Sequence, residues 1–389
     1  MYRNYLLFEL KLVMRNKKNW LLGCALLLFF PFYYMHYSDT EVQDLQTLKN
    51  EEANTYQAIF FYLPEEYRET SVGDEIYTNL TEQSSFVNNQ RFALWQKNVD
   101  HDAFIESGLR VNELRLRLHE LNNEGIHPSF VIPKEEIYKE MALLRYYKEH
   151  SLPLVPDPFV ASNYLPVALE SLSGLVFCLL VLLIGSSMYV HDLQRKTIIG
   201  IFPVSFMQKL LSKVGIHAMQ ILLFLVIGLV AGGLYVSFQT GWGSVQSPML
   251  LYTGGDYIAV STIRYVLYML LAFMLTALLL LFALALLTLV TKNVYASLFI
   301  VILILLVPAG LQFADMHVEW LYPLYMLDIE AILNGNAALA LGSETLDYRR
   351  ALIWLVGMNI VLFVGLFLKN KWSYRNARLP VTESGGSAN

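Results

Sequence analysis

Residues 264–290 read RYVLYMLLAFMLTALLLLFALALLTLV, a run in which Arg264 is the only charged residue. A helix needs about 20 mostly apolar residues to cross roughly 30 Å of hydrocarbon. Five further runs have a similar character: residues 20–36, 172–190, 214–236, 294–313 and 351–368. The chain is 55% hydrophobic and 16% charged, with a mean hydropathy of +0.42. These features predict an all-α polytopic membrane protein with six transmembrane helices.

The apolar runs divide the chain into segments of contrasting polarity. Residues 20–36 form predicted transmembrane helix 1, residues 37–165 form a polar segment, and residues 166–370 hold predicted helices 2–6. Apolar and basic residues recur at helical spacing within residues 1–19, which predicts an amphipathic helix in the membrane interface. The alternative is that residues 1–19 extend helix 1 into the cytoplasm. Residues 371–389 form a predicted cytoplasmic tail.

Basic residues are distributed unequally between the two sides of the predicted membrane. One side holds 14 Lys and Arg residues against three acids, in residues 1–19, 191–213, 291–293 and 369–389. The polar segment 37–165 holds 22 acids against 11 bases. Because basic flanking segments stay in the cytoplasm, we expect both termini inside and residues 37–165 outside. The chain is therefore predicted to be a multi-pass protein of the plasma membrane.

The polar segment is predicted to be a mainly helical extracellular domain. Glu135 and Lys139 lie four positions apart, a spacing that supports a helix. Alternating Leu and Arg in residues 114–118 are the competing signal for a strand. Cys24 and Cys178 both fall in apolar runs, so this domain has no disulfide available. That cysteine usage is compatible with a bacterial exterior, including a Gram-positive one.

Sequence signatures of several enzyme classes are absent from the chain. There is no Gly-x-x-x-x-Gly-Lys-Ser/Thr phosphate loop and no Gly-x-Ser-x-Gly elbow, and the eight histidines show no metal-ligand spacing. We therefore expect no catalytic residue, no metal site and no cofactor in this chain, and no nucleic-acid partner. The sequence does not predict an enzyme.

The predicted cytoplasmic loop 191–213 reads HDLQRKTIIGIFPVSFMQKLLSK. An acidic residue leaves helix 2, a short apolar helix and a Pro-Val-Ser turn follow, and a lysine ends the loop. The residues that carry this pattern are Asp192, Arg195, Lys196, Thr197, Ile198, Phe202, Pro203 and Lys213. With Glu9, Lys11 and Arg15 ahead of helix 1, the pattern resembles the membrane-spanning permease subunit of type-two ABC exporters.

This resemblance implies a permease that exports an amphipathic substrate: a peptide, a lipid or a hydrophobic drug. Two copies of a separate ATPase, which carry ATP and Mg, would dock on residues 191–213 and on the N-terminal helix. A second permease subunit, in a homodimer or a heterodimer, would complete the path through the lipid. Residues 314–350 would form a re-entrant extracellular segment. On the residues alone, the bases of 191–213 could equally enforce topology and bind anionic headgroups.

A function of a different class also fits the segment pattern. A membrane sensor or receptor would bind a ligand with its extracellular helical domain and signal through a cytoplasmic partner. The predicted cytoplasmic segments are too short to hold an output module of their own. Retention of an ATP-hydrolysing partner would distinguish an exporter from a sensor.

Two features inside the predicted spans concern packing and charge. Gly228 and Gly232 lie four positions apart on helix 3, which indicates a face that another helix can approach closely. Glu170 and Arg264 lie near the outer ends of helices 2 and 4. They would either pair with each other or extend separately to the lipid headgroups.

Overall fold

The computed structural model describes residues 2–39, 44–64, 67, 69–154, 157–190, 192, 203–314, 316 and 318–376, with side chains described to residue 371. Within these residues the chain is mainly helical. The first six helices are α1 (Tyr2–Arg15), α2 (Lys17–Ser38), α3 (Leu45–Tyr62), α4 (Ser71–Trp95), α5 (His101–Glu120) and α6 (Lys134–His150). The next five are α7 (Ala161–Leu172), α8 (Leu175–Gly185), α9 (Phe206–Thr240), α10 (Thr262–Thr291) and α11 (Val294–Phe313). The last four are α12 (Tyr322–Tyr325), α13 (Ile329–Leu333), α14 (Asn336–Leu341) and α15 (Tyr348–Asn376).

Five of the described helices are long and apolar enough to cross a membrane. They are α2, α9, α10, α11 and the Tyr348–Lys371 part of α15. Each contains one of the predicted apolar runs, so the prediction of a helical, multi-pass membrane protein is confirmed at this level. A large hydrophobic core joins these helices to α7 and α8.

Predicted helix 2, residues 172–190, does not form one straight helix. Helices α7 and α8 meet at an angle of 66°. Helix α7 begins at Ala161, within the segment predicted to be extracellular. Gly174 at the break has a φ of +66°, which glycine adopts without steric cost. The Glu330 backbone N–H donates to Ser173 Oγ at 3.1 Å, so the segment after α11 holds the break.

A β-hairpin between α9 and α10 corrects the purely helical prediction. Strand β1 (Pro248–Thr253) pairs antiparallel with β2 (Asp256–Ser261). Gly254 and Gly255 form the two-residue turn with φ values of +66° and +90°. A two-residue hairpin turn favours positive φ at both positions, which explains the glycine pair. The adjacent glycines are the local sequence signal for this hairpin.

Helices α3–α6 form a polar helical domain, residues 44–154. Its buried apolar core includes Tyr56, Ile76, Leu80 and Val111. The alternating Leu and Arg residues lie within α5, so the strand interpretation of residues 114–118 was wrong. Helix α6 packs on both strands of the hairpin, which connects this domain to the apolar helices.

The N-terminal helix is separate from the first candidate span. Helix α1 ends at Arg15, short of the predicted boundary at residue 19, and Asn16 caps α2 by accepting a hydrogen bond from the Lys18 N–H. Residues 1–19 are therefore not one continuous extension of helix 1. Helix α1 buries Tyr5, Glu9 and Val13 against its neighbours.

Between the end of α11 and the start of α15, the described residues contain only short helices. Helices α12, α13 and α14 have four, five and six residues, which is far below the length needed to cross a bilayer. Aspartate 328 caps α13 by accepting a hydrogen bond from the Ala331 N–H. The predicted cytoplasmic tail lies mostly outside the described residues.

Candidate functional site

Three charged residues from distant parts of the sequence meet at the predicted cytoplasmic end of the apolar helices. Helix α9 begins after Ser205, whose side chain forms a reciprocal capping box with Gln208. This start places Lys213 two turns into α9, where its side chain is only 2% exposed. Glu9 reaches it from α1, and Asp192 reaches it from the segment that follows α8.

The Lys213 ammonium group is surrounded by three acceptor oxygens. Its Nζ atom lies 2.8 Å from Glu9 Oε1, 3.0 Å from Asp192 Oδ1 and 3.2 Å from the Met188 carbonyl oxygen. It donates a hydrogen bond to the Met188 carbonyl oxygen and forms ion pairs with the two carboxylates. The Tyr5 hydroxyl also donates to Glu9 Oε1 at 2.5 Å. We call Tyr5, Glu9, Asp192 and Lys213 the lysine cluster.

The lysine cluster contains one cation and two carboxylates. The Glu9 side chain is 4% exposed, whereas that of Asp192 is 23% exposed. Burial raises the pKa of the Asp192 carboxyl, and Lys213 opposes that effect. The partly exposed Asp192 is thus the member through which solvent or a partner can reach the cluster.

A buried histidine supports the backbone beside the lysine cluster. His217 Nδ1 lies 2.8 Å from the Lys213 carbonyl oxygen, which can only accept, so Nδ1 carries the proton. His217 is 3% exposed and lies one turn after Lys213. This position supports a packing role.

The structure unites only some of the predicted coupling residues. Glu9, Asp192 and Lys213 meet, whereas Lys11 and Arg15 are exposed on α1. Pro203 is exposed just before the α9 cap. Five predicted coupling residues lie outside the described residues: Arg195, Lys196, Thr197, Ile198 and Phe202.

Tyr5 belongs to the lysine cluster but was missed by the sequence analysis. It precedes Glu9 by four positions, so the two side chains lie on one face of α1. That spacing was the available signal. A tyrosine on an amphipathic helix is otherwise easily taken for an interfacial residue.

The predicted pair of Glu170 and Arg264 does not form. Glu170 Oε1 instead accepts a hydrogen bond from the Tyr265 hydroxyl at 2.6 Å. Arg264 is exposed, while Tyr265 is 1% exposed. Adjacent residues on a helix project about 100° apart, so α10 can present only one of these two side chains to Glu170.

The glycine face of α9 packs within this chain. A Cβ atom at Gly228 would lie 2.8 Å from Phe30 Cδ2, and one at Gly232 would lie 2.5 Å from Phe30 Cβ. Both glycines therefore allow α2 to approach α9 closely, which is the role expected of small residues in membrane helices.

Replacing Gly232 with Leu is expected to destabilise the protein by about 1–3 kcal/mol, because the added side chain must displace Phe30 or the α2 backbone. Gly357→Leu is the matched control, since a Cβ at Gly357 meets nothing within 4 Å. Thermal denaturation of the detergent-solubilised protein measures both variants. Equal melting temperatures for the two variants would contradict the close α2–α9 contact.

The described residues contain no group of three or more His, Cys, Asp or Glu side chains that could hold a metal ion. Comparisons with family models, with curated proteins and with solved structures gave no match. The resemblance to exporter permeases thus remains a prediction. The site itself is a buried ionic connection between the N-terminal helix, Asp192 after α8 and the start of α9.

Proposed function

We propose that this chain is the permease subunit of an ATP-driven exporter. The bent pair α7–α8 would count as one span, which gives six spans with α2, α9, α10, α11 and α15. Both termini and the lysine cluster would face the cytoplasm, and the polar helical domain would lie outside the plasma membrane of a bacterium. Two such subunits, identical or paralogous, would enclose the path. ATP and Mg would bind to two separate ATPase subunits.

The observation that carries this proposal is the lysine cluster. It joins Asp192 and Lys213, which lie near the two ends of the predicted docking segment, to Glu9 of α1. An ATPase that pushes on this segment would therefore move α1 and α9 together. The short, buried contacts make this connection stiff, which a mechanical coupling element requires.

Helix α9 would carry that movement across the membrane. Its 35 residues correspond to about 50 Å at 1.5 Å per residue, enough to cross the bilayer. The β-hairpin follows α9, and Lys139 of α6 lies 5.2 Å from the centre of the Tyr257 ring in β2. Movement of α9 would thus reach the polar helical domain through one short connection.

An apolar groove beside the lysine cluster supports an amphipathic cargo. It lies between α1 and α9 and has a volume of about 510 Å³. Leu6, Leu10, Leu211, Met219 and Leu223 are among its lining residues. Such a surface can receive a hydrocarbon chain or an apolar side chain from the inner leaflet.

Co-purification with an ATPase tests the proposal. The native protein, isolated from its own cells in mild detergent, is expected to retain ATP hydrolysis. The double variant Arg195→Glu/Lys196→Glu is expected to retain at least fivefold less ATP hydrolysis than the native protein. The reversed charges would repel an acidic docking surface on the ATPase. Asp192 is left unchanged in this test because its substitution would also disturb the lysine cluster.

The double variant Lys369→Glu/Lys371→Glu is the control for charge reversal on the same predicted side. It is expected to retain ATPase activity like the native protein. If the native protein retains no ATPase, the exporter proposal fails. If both double variants retain it equally, residues 191–213 are not the docking segment.

A sensor remains the second candidate, favoured by a cavity of about 300 Å³ in the polar helical domain. A sensor would bind its ligand there and would need no ATPase. Absence of ATP hydrolysis in the co-purification, together with a ligand-dependent change in a cytoplasmic partner, would support this function instead.

A further inference from the structure

The polar helical domain contains an open cavity that the exporter proposal does not use. It has a volume of about 300 Å³ and lies between α3, α4, α5 and residues 121–133. Its apolar wall includes Ile59, Leu80, Leu118, Ile126, Phe130 and Ile132. Its polar lining includes Glu52, Thr55, Tyr56, Gln83 and Arg115. The apolar and polar groups together suggest a ligand site rather than a packing defect.

Residues 121–133 form a fixed cover over this cavity. His119 Nε2 donates to the Ile132 carbonyl oxygen at 2.8 Å, which leaves Nδ1 free to accept from Asn123 Nδ2 at 3.1 Å. Asn122, Asn123 and Gly125 turn the chain with positive φ values. Both ends of the cover are thus anchored to the same histidine, and the cavity is preformed.

The polar end of the cavity is built from a balanced charge network. Arg115 lies 3.1 Å from Glu140 and also pairs with Glu52, while Lys49 lies 2.8 Å from Glu52 and 2.9 Å from Glu140. Two cations therefore meet two carboxylates, and no charge is left for an ionic ligand. A charged ligand would lose its hydration without a partner for its charge.

The charge of Arg115 is matched within the protein. Arg115 lines the cavity and is only 6% exposed. Its guanidinium donates to Asn112 Oδ1 and to Glu140 Oε2, each at 3.1 Å, and also pairs with Glu52. The cavity therefore presents a charge-balanced polar end to a bound molecule.

We infer that this cavity binds an uncharged small molecule that has an apolar body. The apolar body would lie against Ile126 and Phe130, and an uncharged polar group would face the charge-balanced end of the cavity. The preformed cover predicts binding without large rearrangement. This site does not depend on the exporter proposal, because neither ATP nor a partner subunit takes part in the binding.

Calorimetric titration of the full chain in detergent tests this inference, with N-acetyl-phenylalanine amide as the probe. We expect saturable binding of this neutral probe at one site. The anionic analogue N-acetyl-phenylalanine has the same aromatic body and is expected to bind at least tenfold more weakly. Absence of saturable binding of the neutral probe, or equal binding of the two compounds, would overturn the inference.

A pair of neighbouring variants locates the binding. Thr55 is exposed and lines the cavity, so Thr55→Trp is expected to fill its mouth and weaken binding at least tenfold. Asn54 is equally exposed but does not line the cavity, so Asn54→Trp is expected to bind like the native protein. Thermal denaturation checks that both variants are folded. Equal affinities of these two variants would place the binding elsewhere and overturn the assignment.

Discussion

Replacing Lys213 with Met is expected to destabilise the protein by about 3–5 kcal/mol. The substitution leaves the Glu9 carboxylate, only 4% exposed, without its counter-charge. Removing one partner of a buried ion pair costs this much because the remaining charge is left desolvated and uncompensated. Asp192 would lose the same partner, but its 23% exposure lets water replace part of the interaction.

Denaturation of the detergent-solubilised protein by heat or by SDS measures this loss. Lys11→Met is the matched control, because Lys11 is an exposed base on the same N-terminal helix. The triple variant Lys213→Met/Glu9→Gln/Asp192→Asn is expected to recover much of the stability, since it removes the uncompensated charges. A Lys213→Met variant as stable as Lys11→Met would show that the lysine cluster does not hold these elements together.

Replacing Arg115 with Met is expected to destabilise the polar helical domain by about 3 kcal/mol. The substitution leaves Glu52 and Glu140 with Lys49 as their only cation in the network. The two carboxylates are 20% and 29% exposed, so partial hydration limits the loss to the lower end of the range for buried pairs. Asn112 would also lose the guanidinium donor that lies 3.1 Å from its Oδ1 atom.

Arg117→Met provides the control two positions further along α5. Arg117 also bridges to a glutamate of α4, Glu75, but its side chain is 51% exposed. Exposed ion pairs contribute little to stability, so Arg117→Met should destabilise the domain much less than Arg115→Met. Helical circular dichroism during thermal denaturation compares the variants. Equal losses for Arg115→Met and Arg117→Met would contradict a stabilising role for the buried network.

The same network predicts an acid-sensitive domain. Burial alone would raise the pKa of Glu140, but Lys49 and Arg115 outweigh burial and hold this pKa below its ordinary value of 4.5. A depressed folded-state pKa contributes stability at neutral pH, and this contribution is lost as the pH falls through the folded pKa. The native domain should therefore lose stability below the ordinary glutamate pKa.

The basic members of the network titrate at the opposite end of the pH scale. Burial alone would lower the pKa of Lys49. Glu140 and Glu52 outweigh burial and raise this pKa above its ordinary value of 10.5. Its contribution is therefore lost only as the pH rises beyond that value. In Arg115→Met, Glu140 loses one cation, so the acid transition should begin at a higher pH than in the native protein. An unchanged acid transition would contradict the coupling between these two residues.

The candidate spans were predictable because their signal is local. The apolar run 294–313 coincides with α11, and the run 264–290 lies within α10. The break at Gly174 and the turn at Gly254-Gly255 were not predicted, although glycine was visible at both places. A glycine in a sequence does not reveal its φ value, which here depends on the segment after α11 and on pairing of two short strands.

The candidate site was predictable only as separate residues. The loop pattern singled out Asp192 and Lys213, and the N-terminal pattern singled out Glu9. Nothing in the sequence joined them, because Glu9 and Lys213 are 204 positions apart. Tyr5 was missed, and the partner of Glu170 was left open, for the same reason: a side chain's partner depends on helix rotation as well as on position along the chain.

Several helices able to cross a membrane can be recognised from the amino-acid sequence alone, because the hydrocarbon thickness sets the length and polarity that such a segment needs. Which faces of those helices meet depends on the folded structure. There Lys213 pairs with Glu9, Glu170 accepts a hydrogen bond from Tyr265, and Phe30 packs against Gly232. These contacts follow from the rotation and crossing of packed helices, in which one residue of shift turns a side chain by about 100°.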